Sequence, residues 1–145
     1  MGGLCHPLLY QRDKIMKLLK NWKPIFIENS KIPVWLSKIA PLEIYAICLG
    51  PIVFARGTLN AKLRRHETIH WQQMLELLVV GHLILYGWDW LKGRFKYRKA
   101  WKGYKSAGNK AYYRTRAEQE AYGNDDLSDY LENRPRWKWV WQYKV

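Results

Sequence analysis

Apolar positions in LLYQRDKIMKLLKNW, residues 8–22, recur at intervals of three and four and stop before Pro24, which predicts a short amphipathic helix. IFIE at 25–28 reads as a brief strand, and NSKIPVWLSKIAP after it as loop with a turn of helix. The runs EIYAIC (43–48) and PIVFAR (51–56) are β-branched and aromatic, and Leu49-Gly50 between them predicts a tight hairpin. Asn60 is a good N-cap for a long helix running toward Trp90, with Gly81 and Gly87 as places where it bends or ends. The glycine-punctuated stretch from Lys92 to Gly108 reads as a loop, and a second helix is expected from Asn109 to Tyr122. DDLSDYLEN predicts a short capped helix ended by Pro135. In the tail, Trp137, Trp139 and Trp141 alternate, so an extended strand would turn all three to one face. That face is expected to cover the domain's own apolar surface, with an interfacial anchor as the sharper alternative.

These elements give an α+β class: a small sheet or hairpin, a long helix and a second helix downstream. At 145 residues the chain is read as one domain. Its parts are an N-terminal helix and strand (1–42), a core (43–131) that includes the connector 92–108, and a tryptophan-rich tail (132–145). With 48% hydrophobic and 15% aromatic residues, intrinsic disorder is excluded as a class. The two cysteines, Cys5 and Cys48, are too few for a disulfide framework, and Cys48 is expected to be buried. No secretory signal pattern stands in MGGLCHPLLYQRDK, and the longest apolar run, Leu77 to Trp88, falls short of the roughly 20 residues a span needs. That run is therefore expected to be a buried helix segment, and a cytoplasmic or virion-associated protein fits the pattern.

Charge changes the picture in one place. The net charge is +13, and from Lys92 to Arg116 there are ten Lys or Arg and no acidic residue. Such a block suits an anionic partner, whether nucleic acid, a membrane surface or an acidic protein. A solvated connector whose aromatics pack back on the domain is the plainer expectation.

The candidate chemistry lies in His66-Glu67-Thr68-Ile69-His70. Histidines four apart share one helix face, so both imidazoles can reach one metal ion. Glu67, between them, is placed to accept a proton from water at that metal. A hydrolytic zinc site needs a third protein ligand. His82 lies twelve residues beyond His70, about 18 Å along a straight helix, which makes it a poor choice. Glu118 and Glu120 in RAEQEAYGND are the better candidates. Gln73 shares the histidine face and is a candidate to orient a ligand, while Glu76, set among apolar residues, should pair with a basic or hydroxyl group.

H-E-x-x-H followed by Glu118-Gln119-Glu120-Ala121 resembles the gluzincins, zinc peptidases whose third ligand is a glutamate on a downstream helix. The resemblance maps Glu118 to the metal and implies a compact zincin-like fold with one zinc ion. Tyr122 departs from the family's Asp or Asn, leaving support of a histidine to Glu120, Asn124 or Asp125. LGPIVFAR, RHETIHWQQMLELL, EQEAYGNDDLSDYL and the tryptophan-rich tail, in that order, resemble a group of small bacterial and phage H-E-x-x-H proteins over residues 43–143. The activity implied is peptide-bond hydrolysis of a peptide or protein substrate, with His66, His70 and Glu118 on zinc and Glu67 as general base. The alternative is a non-catalytic assembly protein, such as a phage structural component, that keeps the scaffold and binds partners through its basic and tryptophan-rich surfaces.

Overall fold

The computed structural model describes residues 11, 14, 17–18, 21–40, 42–98 and 104–145. The helix expected over residues 8–22 falls largely outside the described residues, as does Cys5. The mixed α+β class holds: a three-stranded sheet and a set of helices packed beside it.

The sheet is β1 (Ile25–Ile27), β2 (Ala46–Leu49) and β3 (Ile52–Ala55), in the order β1-β3-β2. The expected hairpin forms β2 and β3, which pair antiparallel with Cys48 opposite Val53. Its turn needs Gly50, whose φ of 62° is open to few side-chain-bearing residues. β1 joins the other edge of β3 in parallel, Phe26 against Val53. Between β1 and β2 the chain forms α1 (Ile32–Ile39), a full helix where the sequence suggested a turn. Pro33 sits in its first turn, where its missing N–H is no loss.

α2 (Ala61–Tyr97) is capped as expected, with Asn60 Oδ1 accepting from the Leu63 amide. Its inward side packs Trp71 and Met74 on Cys48, Val53, Ala55 and Leu59, the core between helix and sheet. The helix is not continuous, because Leu78 has φ 59° and ψ 159°. For leucine that conformation costs about 1–3 kcal/mol, sustained by the surrounding packing. The break therefore falls at neither expected glycine. Beyond it the chain returns toward its first half, and the His82 ring lies 6.4 Å from that of His70. The straight-helix estimate that set His82 aside is thus corrected.

The stretch 92–108 is not one loop. Lys92 to Tyr97 continue α2, and α3 (Tyr104–Tyr113) contains Gly108. Gly93 serves packing instead: a Cβ there would lie 3.1 Å from Ala111 Cα, so its absence lets α2 and α3 approach closely. The single helix expected over 109–122 is two, α3 and α4 (Arg116–Asn124), divided where Thr115 caps α4 through the Glu118 amide. α5 (Tyr130–Asn133) precedes Pro135 as expected, although Asp129 makes no side-chain cap.

The tail is also corrected. It forms no strand, since α6 (Trp139–Gln142) is a helical turn and Trp137 has φ 64°. Trp139 is buried while Trp137 and Trp141 are exposed, so the three do not share a face. The reason is Glu76, whose carboxylate accepts from Trp139 Nε1 at 2.8 Å and from the Trp137 amide at 3.2 Å. One further expectation fails. Most of the run Leu77 to Trp88 is not buried, His82 excepted, and the apolar window of 18 residues within α2 is only 22% buried.

Candidate metal centre

Three donors converge where the first half of α2 meets α4. His66 Nε2 and His70 Nε2 are 3.2 Å apart, and Glu118 Oε2 and Oε1 lie 3.3 Å from the first and second of them. All three residues are buried. A tetrahedral ion bound at about 2.0–2.1 Å requires ligand atoms about 3.3 Å from one another. The two Nε2 atoms and each imidazole's nearer Glu118 oxygen are at that spacing, and one ligand atom from each residue lies within 4.8 Å of the other two. The helix supplies the histidine pair through its i, i+4 geometry. Tertiary packing supplies the carboxylate.

The hydrogen bonds around the triangle set the histidine tautomers. His66 Nδ1 is 3.1 Å from Asp125 Oδ2, an obligate acceptor, so that nitrogen carries the proton. Gln73 Nε2 donates to Ala117 O and to Glu120 Oε2, which turns Gln73 Oε1 toward His70 Nδ1 at 2.9 Å. His70 Nδ1 must therefore donate as well. Both Nε2 atoms then present lone pairs to the same point, where a carboxylate also points. Two lone pairs then face a carboxylate whose Oε2 has no donor among the described residues, and such a buried group fits a cation. Without one, a proton takes its part: burial opposes charge on His70, yet neighbouring Glu118 outweighs it and lifts the pKa to about 9. Burial would raise the Glu118 carboxyl, but His70 and His66 hold it well below its ordinary range.

Of the candidates for the third position, Glu118 is the one brought to the histidines. Glu120 is turned away and accepts from Arg134 Nε and Tyr130 Oη at 2.8 Å each, as well as from Gln73. Glu76 pairs with the same Arg134, whose side chain is 2% exposed, so two carboxylates flank one buried guanidinium. The support of His66 comes from Asp125, three residues beyond the Tyr122 departure. Tyr122 instead packs its ring edge-on against His66, centroids 4.4 Å apart.

A cleft of about 530 Å³ opens onto this group. One wall is residues 42–49, including β2, and the other carries Tyr86, Tyr112 and Tyr122. Glu67 lines the cleft beside the ligand triangle, and its pKa is raised, first by burial and also by Glu118, with both histidines opposing. β2 is an edge strand of the sheet, with no second strand partner among the described residues, and its residues line the cleft.

The return of α2 after Leu78 brings in residues that periodicity alone passes over. Tyr86 Oη donates to Glu118 Oε1 at 2.9 Å, and burial and Glu118 together raise its pKa well above the usual value. His82 is buried, its pKa lowered to about 3 by burial and by His70, and its Nδ1 has no hydrogen-bond partner among the described residues. Their four-residue spacing is a signal in the sequence, though it points to the metal only once the helix is broken. Arg116 does not belong to the site, being held by Asp89 through Nε at 2.8 Å and Nη2 at 2.7 Å.

No family model, curated protein or solved structure matches this chain. The reading of the centre rests on its own geometry.

Proposed function

We propose that this chain is a zinc-dependent metallopeptidase with a zincin-like arrangement, in which His66, His70 and Glu118 hold one zinc ion and Glu67 is the general base. The observation that carries the reading is the convergence of His66 Nε2, His70 Nε2 and the Glu118 carboxylate, a buried donor set that suits one ion with three protein ligands, and a cleft opens onto it. Three protein ligands with an approach for water distinguish a catalytic site from a closed structural one.

Zinc in this position would polarise a carbonyl and lower the pKa of water toward about 7. The remaining work falls to the chain. Glu67, which lines the cleft beside the donors, would accept the water proton and return it to the leaving amine. Asp125 and Gln73 hold the two imidazoles with Nε2 inward. His82, whose Nδ1 has no hydrogen-bond partner among the described residues, and the Tyr112 hydroxyl line the cleft as donors for a developing oxyanion, whereas Tyr86 already gives its proton to Glu118. β2, an edge strand among the described residues whose residues line the cleft, is a place where an extended peptide could add by strand pairing.

The test is metal content by mass spectrometry beside peptide-library turnover, for wild type, His70→Ala and Glu67→Gln. The expected result is about one zinc per chain, lost in His70→Ala and kept in Glu67→Gln, with turnover absent from both variants. Full activity in Glu67→Gln would remove that residue as the base. Zinc bound with no water-accessible position would favour the assembly-protein alternative.

A further inference from the structure

The second half of α2 is inside out for a protein surrounded by water. Its inward face carries His82 and Asp89, both buried, and the partly buried Tyr86. Its outward face carries Val80, Ile84, Trp88 and Phe95, which are 68, 68, 64 and 62% exposed, with Leu83 and Leu91 also exposed. At 100° per residue, Val80, Ile84, Trp88, Leu91 and Phe95 fall within one arc of about 80°. The strip runs about 22 Å along the helix. Its end is extended by Leu78, 74% exposed at the break, where Val79 abuts the Gly50 turn of the hairpin.

Charge identifies the occupant. From Leu77 to Arg98 the one acidic residue is Asp89, which is buried against Arg116 and so adds nothing to the outer face. Lys92 and Arg98 stand exposed beside and beyond the strip. An apolar strip with tryptophan and phenylalanine, bordered by cations and free of anions, matches the boundary between acyl chains and anionic headgroups. A second copy of the chain would have to bring another net charge of +13 against this one. The helix does not span a bilayer in this arrangement, because its opposite face is packed on α3 through Gly93, on α4 through Asp89 and on the tail through Lys96, which donates to Val145 O at 3.0 Å.

We infer that the Val80–Phe95 face of α2 is a docking surface for an anionic lipid membrane, lying in the plane of the interface. The chain then sits as a monotopic protein, and since Leu83 and Leu49 line the cleft, the cleft opens at the edge of that surface. The inference does not depend on the zinc reading.

The experiment is vesicle flotation of the full chain with phosphatidylcholine alone and with phosphatidylcholine mixed with phosphatidylglycerol. Wild type is compared with Ile84→Gln/Trp88→Gln and, separately, Phe95→Gln, all exposed positions whose folding is checked by circular dichroism. The expected result is flotation of wild type with the anionic vesicles, weakened roughly tenfold or more in the double variant and less in Phe95→Gln. Wild type left in the aqueous fraction would overturn the inference. So would equal flotation of wild type and double variant, which would assign binding to the basic block alone. A wild-type dimer in light scattering that the double variant dissolves would place a second copy on this face instead.

Discussion

Asp125 Oδ2 accepts the Nδ1 proton of His66 at 3.1 Å, from a position 59 residues later in the chain. The contact directs the His66 Nε2 lone pair into the triangle, and Asp125 is itself 3.4 Å from Lys62. Asp125→Asn keeps the shape and loses the charge. Such supporting residues typically contribute about 10–100-fold to metal affinity, and a weakening at the lower end is expected here, read by competition with a chromophoric chelator. Unchanged affinity would show that His66 needs no help from Asp125.

If the group holds zinc as proposed, removing it should loosen the whole molecule, because one proton on His70 then replaces a divalent cation beside the buried Glu118 carboxylate. With zinc at about a thousand times its Kd, linkage gives about 4 kcal/mol, which for a chain of this size is a Tm higher by roughly 10 °C. Melting curves in chelator and after zinc is restored check this. Coincident curves would mean that the triangle holds nothing that matters to folding.

Arg134 is the hinge of the buried charges, with Glu76 and Glu120 on either side. Arg134→Met leaves both carboxylates without their cation, and the loss is expected to be about 3–5 kcal/mol or more. Glu76→Gln keeps an oxygen for Trp139 Nε1 and should cost less. Urea unfolding of the two variants gives the order, and a milder loss in Arg134→Met would contradict it.

Cys48 provides a test against pH. Burial, and then Glu67, push its thiol pKa above the usual value. The folded state thus favours the neutral thiol. Its contribution to stability is complete below the unfolded pKa of about 8.5 and declines as pH rises beyond it. Urea midpoints should fall on the alkaline side. In the folded chain at pH 8.5 the Cys48 peptide should resist iodoacetamide, and after unfolding it should react. Rapid alkylation of the native chain would contradict the burial.

The histidine pair, Glu67, the Asn60 cap and the β2–β3 hairpin were legible because each depends on residues a few positions apart. Helix and turn geometry converts such spacing directly into position. The helix and strand types of 25–28, 43–56 and 61–77 follow for the same reason. The loop assigned to 92–108 was misread because Gly93 resembles punctuation in one dimension and serves close packing against Ala111 in three.

What this sequence determines by itself is therefore the local part of the site: two imidazoles on one helix face, a glutamate between them, and a second glutamate motif downstream. Only the tertiary structure shows that Glu118 rather than Glu120 stands beside the histidines, since Arg134, Tyr130 and Gln73 claim the latter. It also decided that Leu78 breaks the helix and that His82 and Tyr86 return to the centre, leaving an apolar face outward. Periodicity reports which residues share a side of one element. Where a chain reverses, and which side then meets solvent, follows from the packing of all elements at once.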